Sequence, residues 1–293
     1  MDIRVPSYYP EFECIADGCR HSCCIGWEID IDEDTAEYYS EIDGDMGARL
    51  RESIGCEDGC HYFKTGEGDR CPFLNERGLC DIITELGEES LCQICADHPR
   101  FRNSLSDLTE VGLGMCCEEA ARLMLTYEEP FSLLSCDGGE CALTPFEEEL
   151  LCERQRILDI LTDRSMPVEE RIGRLSVTEA DAGDLIPFYR SLERLDGVWD
   201  GYLDRYDPKK ENITENSREQ LLCYFVYRYL AQSREREDIA AYLRFALLSY
   251  RIIIGVCEDS TEGLVEAARA YSSEIEYSTE NVEEILNKLT LIE

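Results

Sequence analysis

A chain of 293 residues with 44% hydrophobic residues is long enough to bury one large or two modest cores, which excludes a mainly disordered protein. Its net charge of −36 excludes a nucleic-acid-binding surface, because long-range repulsion would oppose every contact with a phosphate. The same charge is typical of a soluble acidic surface, and also of an acidic groove that attracts a basic peptide.

In the first half, short elements are separated by turns. Trp27, Ile29 and Ile31 alternate with acidic residues, which predicts a short strand, and Asp32 is the predicted cap of a following helix. Residues 55–80 are rich in glycine and cysteine and indicate loops and tight turns. Ser90-Leu91-Cys92-Gln93 has the pattern of a capping box and predicts a short helix that Pro99 ends. A second helix is predicted over about 115–127.

Helical periodicity dominates from about Thr144 onward. The predicted helices are 145–162, 167–175, 184–195, 216–232, 236–257, 261–273 and 280–291. Ser217-x-x-Gln220 is read as a capping box for the fourth of them. The apolar segment Ile239–Cys257 contains Arg244 and Arg251, which would be costly in lipid, so it is predicted to be a core helix and no membrane contact is expected.

The predicted fold class is therefore mainly α. An irregular, cysteine-rich N-terminal part with a short strand or hairpin is expected over residues 1–140, and an α-helical domain over residues 141–293. A soft domain boundary is placed in Ser135–Pro145, where Asp137-Gly138-Gly139 supplies a flexible break.

The cysteines carry the strongest functional signal. Met1–Pro10 has no apolar run and no small-residue cleavage site, so a cytoplasmic location is expected. In that reducing compartment, clustered cysteines indicate metal or redox chemistry rather than disulfides. Of the 17 cysteines, 14 lie between Cys14 and Cys141 in turn-rich sequence, where the role of a small buried hydrophobe does not account for them. Metal or iron–sulfur ligation is the prediction for the N-terminal set. For Cys56-x3-Cys60-His61 two readings stay open, an accessory zinc half-site and a loop with free thiols.

Two ordered groups of cysteines resemble the flagellin lysine-N-methylase family, within the wider CxxCxxCC group of zinc- or iron-chelating proteins. The opening Cys14-x4-Cys19-x3-Cys23-Cys24-Ile-Gly-Trp-Glu-Ile is similar to the start of that family. Cys71-Pro-Phe-Leu, Gly-Leu-Cys80, Leu91-Cys92-x2-Cys95 and Cys116-x-Glu118 resemble its next blocks, with Cys117 where proline is usual. The likeness extends into the helical half at Leu221–Tyr229, so it covers essentially the whole chain.

The resemblance implies a protein-lysine N-methyltransferase that transfers methyl from S-adenosylmethionine to flagellin or another lysine-bearing protein. It also implies a [4Fe-4S] cluster, with zinc as the alternative. The ligand candidates that it carries over are Cys14, Cys19, Cys23, Cys24, Cys71, Cys80, Cys92, Cys95 and Cys116. Because one such cluster needs four thiolates, either two centres exist or some of these cysteines are structural.

The sequence does not identify a catalytic base or a donor pocket. Methyl transfer needs a neutral lysine amine, which a carboxylate or tyrosine in an apolar channel can provide. Tyr224, Tyr227 and Arg228 are weak candidates through their block. Three further alternatives stay open: a non-catalytic metal module that binds a partner, a metal carrier, and a radical mechanism with the same methyl donor.

Overall fold

A computed structural model describes residues 2–136, 141–210 and 213–291. The chain divides into two compact units. We call Glu13–Arg100 the cysteine-rich unit, and Met1–Phe12 together with Phe101–Glu293 the helical unit. These compact units do not test the domain boundary expected between residues 140 and 141, which stays a prediction. Its flexible break, Asp137-Gly138-Gly139, lies outside the described residues.

Helices dominate the described residues, and the predicted mainly α fold class is confirmed. The strands are β1 Asp2–Pro6, β2 Asp30–Ile31, β3 Ile54–Glu57, β4 Cys60–Phe63, β5 Arg100–Ser104, β6 Leu108–Leu113 and β7 Leu133–Ser135. The helices are α1 Glu33–Glu41, α2 Gly44–Ser53, α3 Asp81–Leu86, α4 Gln93–Asp97, α5 Glu118–Thr126, α6 Pro145–Leu161, α7 Val168–Gly173, α8 Ala182–Tyr189, α9 Val198–Leu203, α10 Glu215–Leu230, α11 Arg236–Val256, α12 Thr261–Tyr271 and α13 Thr279–Thr290.

The cysteine-rich unit packs α1 and α2 with an antiparallel sheet of order β2-β4-β3. Ile29 and Ile31 are buried as the alternating pattern predicts, although only Asp30–Ile31 pairs as a strand. Asp32 caps α1, because its Oδ1 accepts a hydrogen bond from the N–H of Thr35 at 3.0 Å. These elements enclose a core of their own.

The capping box predicted at Ser90 is wrong. Helix α4 begins after Cys92, and the hydroxyl of Ser90 donates instead to the carbonyl of Leu86 at 3.3 Å. The N–H of Gln93 at the start of α4 donates to Oδ2 of Asp32 at 2.8 Å. One carboxylate therefore caps two helices, and this long-range partner carries no signal in the local sequence around Ser90.

The helical unit combines a sheet of order β5-β6-β1-β7 with the helices from α5 onward. Strand β1 pairs in parallel with β6 and antiparallel with β7. Helix α10 buries residues around its whole circumference, and α11 packs against it at the centre of a large apolar cluster. By length and composition α11 is the one helix of the described residues that could cross a membrane, and 72% of its most apolar stretch is buried inside the protein.

All seven helices predicted after Thr144 are present. Helix α9 is an additional short helix that periodicity did not predict; Gly197 precedes it and Gly201 lies within it. The capping box predicted at Ser217 is wrong by one turn. Thr214 caps α10, with its Oγ1 accepting from the N–H of Ser217 at 3.1 Å. The hydroxyl of Ser217 is buried and donates to the carbonyl of Leu125 at 2.8 Å.

Candidate metal centre

Five of the nine predicted ligand cysteines lie together in the core of the cysteine-rich unit. Cys71 and Cys92 are buried members of that core, and Cys24, Cys80 and Cys95 pack against it. We call these five residues the five-cysteine cluster. They come from three separate stretches of chain, so the fold, and not local spacing, gathers them.

Backbone pairing holds the first three cysteines in place. The N–H of Cys71 donates to the carbonyl of Cys24 at 2.8 Å, next to an antiparallel bridge between Ile25 and Arg70. A second bridge joins Leu74 to Cys80 and closes the Cys71–Cys80 loop on itself. Main-chain contacts thereby position Cys24, Cys71 and Cys80 relative to one another.

Polar side chains also hold the same loop in place, and sequence reasoning missed their role. Asp81 accepts hydrogen bonds from Arg49 Nη1 at 2.6 Å and from Asn75 Nδ2 at 2.8 Å. Asn75 Oδ1 in turn accepts from the N–H of Arg77 and of Leu79. An asparagine in an Asn-Glu-Arg-Gly turn is the one local signal that could have identified this support.

Cys92 and Cys95 lie at the start of α4, Cys92 at the capping position and Cys95 in the first turn. Their side chains are hydrogen-bonded, which lowers the pKa of Cys92 and raises that of Cys95. The helix N-terminus also favours a thiolate at this position. Within the pair, Cys92 is therefore the thiol that ionises more readily.

Burial opposes ionisation of the remaining thiols. It raises the pKa of Cys71 to about 12, with further contributions from Cys24, Cys80 and Cys92, and it raises the pKa of Cys80. Cys24 is the exception: a hydrogen bond from Cys23, together with Ser22 and Arg70, lowers its pKa to about 7. Thiolates this close repel one another in a buried site, and a bound metal cation would remove that repulsion.

The five sulfur atoms lie in one region of the core, but they are not close enough together to share a single metal ion as they stand. In the described part of the chain no three cysteine sulfurs lie within 4.8 Å of one another. A tetrahedral zinc ion with Zn–S bonds of about 2.3 Å would hold its sulfurs about 3.8 Å apart. The five-cysteine cluster is therefore wider than one such tetrahedron.

The other four predicted ligands lie outside the five-cysteine cluster. Cys14 is exposed, Cys19 is partly buried, and Cys23 is exposed beside Cys24 in the same N-terminal segment of the cysteine-rich unit. Cys116 belongs to the helical unit, where it is buried with its Sγ 3.1 Å from the Tyr277 hydroxyl. None of the 17 cysteines, all in described residues, is disulfide-bonded.

The weak candidates of the helical unit occupy a buried polar network. Glu276 accepts hydrogen bonds from the hydroxyls of Tyr224 and Tyr229 at 3.0 and 2.9 Å. Arg228 contacts Tyr224 at 2.6 Å and lies 3.4 Å from Glu276. Tyr227 donates to main-chain carbonyls of Arg4 and Val111, so its contacts are those of a core residue.

A cleft of about 680 Å³ opens in the helical unit. We call it the helical-unit cleft. Its lining combines aromatic, cationic and anionic side chains: Phe146, Tyr242, Arg102, Arg234, Glu147 and Glu283. Ser233 also lines it, and its buried hydroxyl makes no hydrogen bond within the described residues. The volume of the cleft lies within the range of small-molecule sites, and most of its lining residues are polar or charged.

Comparisons with known proteins point to lysine methylation. Over 140 residues the chain is 25% identical to the lysine-N-methylases of Salmonella typhimurium and Salmonella choleraesuis, which covers 45% of this chain and 35% of each relative. It is 24% identical over 140 residues to the flagellar biosynthetic protein FliU of Salmonella muenchen, which covers 45% of this chain and 82% of that protein.

The matched segment spans about a third of the length of the two lysine-N-methylases, 35% in each. No family model matches the chain, and no solved structure matches it. The relatives' names and the shared segment confirm the resemblance that the cysteine blocks predicted: the chain is similar to the flagellin lysine-N-methylase family.

Proposed function

We propose that the chain is a protein-lysine N-methyltransferase that uses S-adenosylmethionine, acts on flagellin or another lysine-bearing protein, and holds a cysteine-ligated [4Fe-4S] cluster. The observation that carries the metal-dependent part is the convergence of five cysteines from separate stretches of chain in one buried core. The names of the relatives, lysine-N-methylase and flagellar FliU, support the reaction and the substrate.

Four members of the five-cysteine cluster would bind the iron–sulfur cluster, and the two buried ones, Cys71 and Cys92, belong to these four. The resemblance to the flagellin lysine-N-methylase family supports iron–sulfur over zinc. The spacing of the sulfurs is compatible with this choice, because the thiolates of a [4Fe-4S] cluster bind four different irons whereas those of zinc share one ion. Metal binding would supply positive charge to thiols whose pKa burial has raised.

The ligand assignment is tested by replacing each of the five cysteines with serine in anaerobically purified protein. Four variants are expected to lose iron and sulfide and one to keep both. Cys152→Ser, at an exposed position in the helical unit, is the matched control and should retain full metal content. Colourless wild-type protein with one zinc ion would overturn the iron–sulfur proposal, and five variants that all keep their metal would overturn the ligand set.

We place the methyl donor in the helical-unit cleft. Phe146 and Tyr242 offer faces on which an adenine ring can stack, and Arg102 and Arg234 are suited to the donor's carboxylate. In the transfer, the lysine amine attacks the methyl carbon, the carbon–sulfur bond breaks, and S-adenosylhomocysteine leaves. The proton released by the amine needs an acceptor, which is a carboxylate in many such sites.

Glu283 is the proposed acceptor. Glu147 also lines the cleft, but it is held by Ser106 and by the N–H of Thr144, at 2.8 and 2.7 Å. Glu283 makes no comparable hydrogen bond or ion pair within the described residues and faces the cleft from α13. It can therefore attract the lysine ammonium and accept its proton when the amine reacts.

Transfer of label from S-adenosylmethionine to flagellin lysines tests the reaction. Glu283→Gln is expected to lower the turnover number about 100-fold, the lower range for losing a general base. Glu284→Gln, its exposed neighbour outside the cleft lining, should leave the rate unchanged. Absence of label with the metal centre intact would favour a non-catalytic binding module, and equal rates in both variants would overturn the role of Glu283.

A further inference from the structure

A second group of metal-binding residue types lies in the cysteine-rich unit, apart from the five-cysteine cluster. Cys56, His61, Glu33 and Glu37 line one cleft of about 570 Å³ between α1 and the β3–β4 hairpin. None of the four belongs to the core that holds the five-cysteine cluster. We call this group the hairpin site.

The hairpin aligns its two ligands across the strands. Cys56 and His61 are direct partners in the antiparallel pairing of β3 with β4, so their side chains project from the same face. Directly opposed residues have Cβ atoms about 4.5–5.5 Å apart, which allows a thiolate and an imidazole to reach one ion. Cys60 pairs with Glu57 and therefore projects from the opposite face. The accessory half-site predicted from Cys56, Cys60 and His61 is thus divided, with Cys60 outside the cleft lining.

Helix α1 supplies the other wall. Glu33 and Glu37 are four residues apart, so they project from the same face of the helix one turn from each other. Within the described residues, no hydrogen bond, ion pair or other interaction engages the side chains of Glu33, Glu37, Cys56 or His61. Four potential metal ligands thus line one cleft, and within the described residues their side chains make no hydrogen bond or ion pair with another residue.

Charge also favours a divalent cation at this place. A Cys56 thiolate with the two carboxylates would carry three negative charges. Arg51 also lines the cleft, but its guanidinium donates to the main-chain carbonyls of Ser40 and Ile42, at 3.2 and 2.8 Å. With Arg51 counted, the thiolate form of the site would carry two uncompensated negative charges, which one divalent ion would neutralise.

We propose that the hairpin site binds a divalent transition-metal ion, for which Zn²⁺ is the best match. One sulfur, one nitrogen and two carboxylate oxygens form a tetrahedral set of the types that zinc takes in proteins. No three donors of the described residues at this site lie within 4.8 Å of one another. Glu33, Glu37 and Cys56 are exposed, so their side chains can turn toward an ion bound beside the half-buried His61. Cys56 loses its proton as the metal binds, and the ion joins α1 to the hairpin.

Cobalt substitution in the full-length protein tests the hairpin site, because a thiolate–Co²⁺ bond gives a charge-transfer band. We expect one equivalent of Co²⁺ beyond the metal held by the five-cysteine cluster, displaced by added Zn²⁺. Cys56→Ser and His61→Ala should each weaken Co²⁺ binding at least tenfold, and Cys56→Ser should abolish the band. Iron and sulfide content, measured on the same samples, should not change.

Cys60→Ser is the matched control, since it removes a thiol from the same hairpin but from its other face. It should bind Co²⁺ as the wild type does. The proposal would be overturned by wild-type protein that takes up no additional Co²⁺, or by Cys60→Ser weakening binding as much as Cys56→Ser. Neither result bears on the methyltransferase proposal, because no residue of the hairpin site takes part in it.

Discussion

Arg154 and Glu110 place opposite charges in the interior of the helical unit, where their side chains are 3% and 0% exposed. Arg154 Nη1 donates a hydrogen bond to Glu110 Oε2 at 2.6 Å, and Arg154 Nη2 donates a second one to Glu110 Oε1. The arginine belongs to α6 and the glutamate to β6, so the pair links the helices to the sheet. Removing one partner would leave a buried charge without compensation.

Arg154→Met is expected to lower the free energy of unfolding by about 3–5 kcal/mol, because Glu110 stays buried without its partner. Urea unfolding followed by circular dichroism measures the change. Arg156→Met removes the same charge from an exposed pair with Glu153 and should cost about 1 kcal/mol or less. Similar losses in both variants would contradict the special role of the buried pair.

The cysteines show at the same scale how environment separates identical side chains. Cys71 is buried, and burial raises its pKa to about 12, whereas Cys24 accepts a hydrogen bond from Cys23 and its pKa falls to about 7. Both were predicted as ligands from the same resemblance. The pKa of Cys24 is lowered mainly by Cys23 and Ser22, which are its neighbours in sequence. The burial that raises the pKa of Cys71 depends on tertiary packing, and the sequence alone does not contain it.

Among the elements, α1 and α4 share a single capping residue. Asp32 accepts hydrogen bonds from the N–H groups of Thr35 and Gln93. Burial acts against its charged form, but these hydrogen bonds outweigh it and lower the pKa of Asp32. The start of α4, where Cys92 and Cys95 lie, is thereby fixed to the start of α1.

Asp32→Ala should lower the free energy of unfolding of the cysteine-rich unit by about 2 kcal/mol, because two helix caps are lost together. Native-state hydrogen exchange of the amides in the cysteine-rich unit measures this change in free energy. Asp34→Ala, in the first turn of α1 but with no capping contact, should cost about 0.3–1 kcal/mol through the helix dipole alone. An Asp34 variant as unstable as the Asp32 variant would show that capping is not the cause.

The start of α6 gives a pH-dependent prediction. Burial opposes the charge of Glu147, yet hydrogen bonds from Thr144 and Ser106 outweigh it and lower its pKa to about 2. Because this pKa is below the unfolded value of about 4.3, the stabilisation is complete above that value and is lost as pH falls toward 2. Glu147→Gln should therefore destabilise the protein at neutral pH, with a deficit that shrinks below pH about 4.

Glu148→Gln is the control, since it removes the same charge from an exposed neighbouring position. Urea midpoints between pH 2 and pH 7 measure both variants. The difference between Glu147→Gln and wild type should narrow on acidification, whereas a difference that stays constant with pH would contradict the assigned hydrogen bonds.

The described residues form two separate hydrophobic cores, which we expect to determine the stability of the two units. The cysteine-rich unit has a small core that includes Cys71 and Cys92, whereas the large core of the helical unit is built around α10 and α11. Metal-binding energy contributes directly to folding where ligands form part of a small core. If the proposed metal centre is present, its loss should therefore affect the two units unequally.

Removal of the metal by a chelator is expected to increase amide hydrogen exchange across residues 13–100 and to leave α10 and α11 protected. Exchange followed by mass spectrometry measures both regions in one sample. The Cys71→Ser variant, which lacks a proposed ligand, should exchange at residues 13–100 without chelator as the stripped wild type does. Uniform loss of protection along the chain would contradict separate stabilisation.

Periodicity in the sequence was sufficient for most of the helical unit. Most helices after Thr144 follow from a 3.6-residue apolar pattern, because an amphipathic helix buries one face and local spacing encodes that face. Helix α10 was predicted from the same pattern, although it is buried around its whole circumference. Helix caps were less predictable. Ser217 is an internal residue of α10, and its hydroxyl donates a hydrogen bond to the carbonyl of Leu125, a partner 92 residues away. A short motif does not reveal such a partner.

The sequence by itself determined that the protein is mainly helical, that cysteines dominate its first half, and that their order resembles one family. Only the tertiary structure decided that Cys24, Cys71, Cys80, Cys92 and Cys95 share one core while Cys116 lies in the other unit. It also placed Cys56 with His61 on one strand face and Cys60 on the other. The physical reason is that residue types and periodicities are local, whereas a metal site depends on where distant backbone segments bring their side chains together.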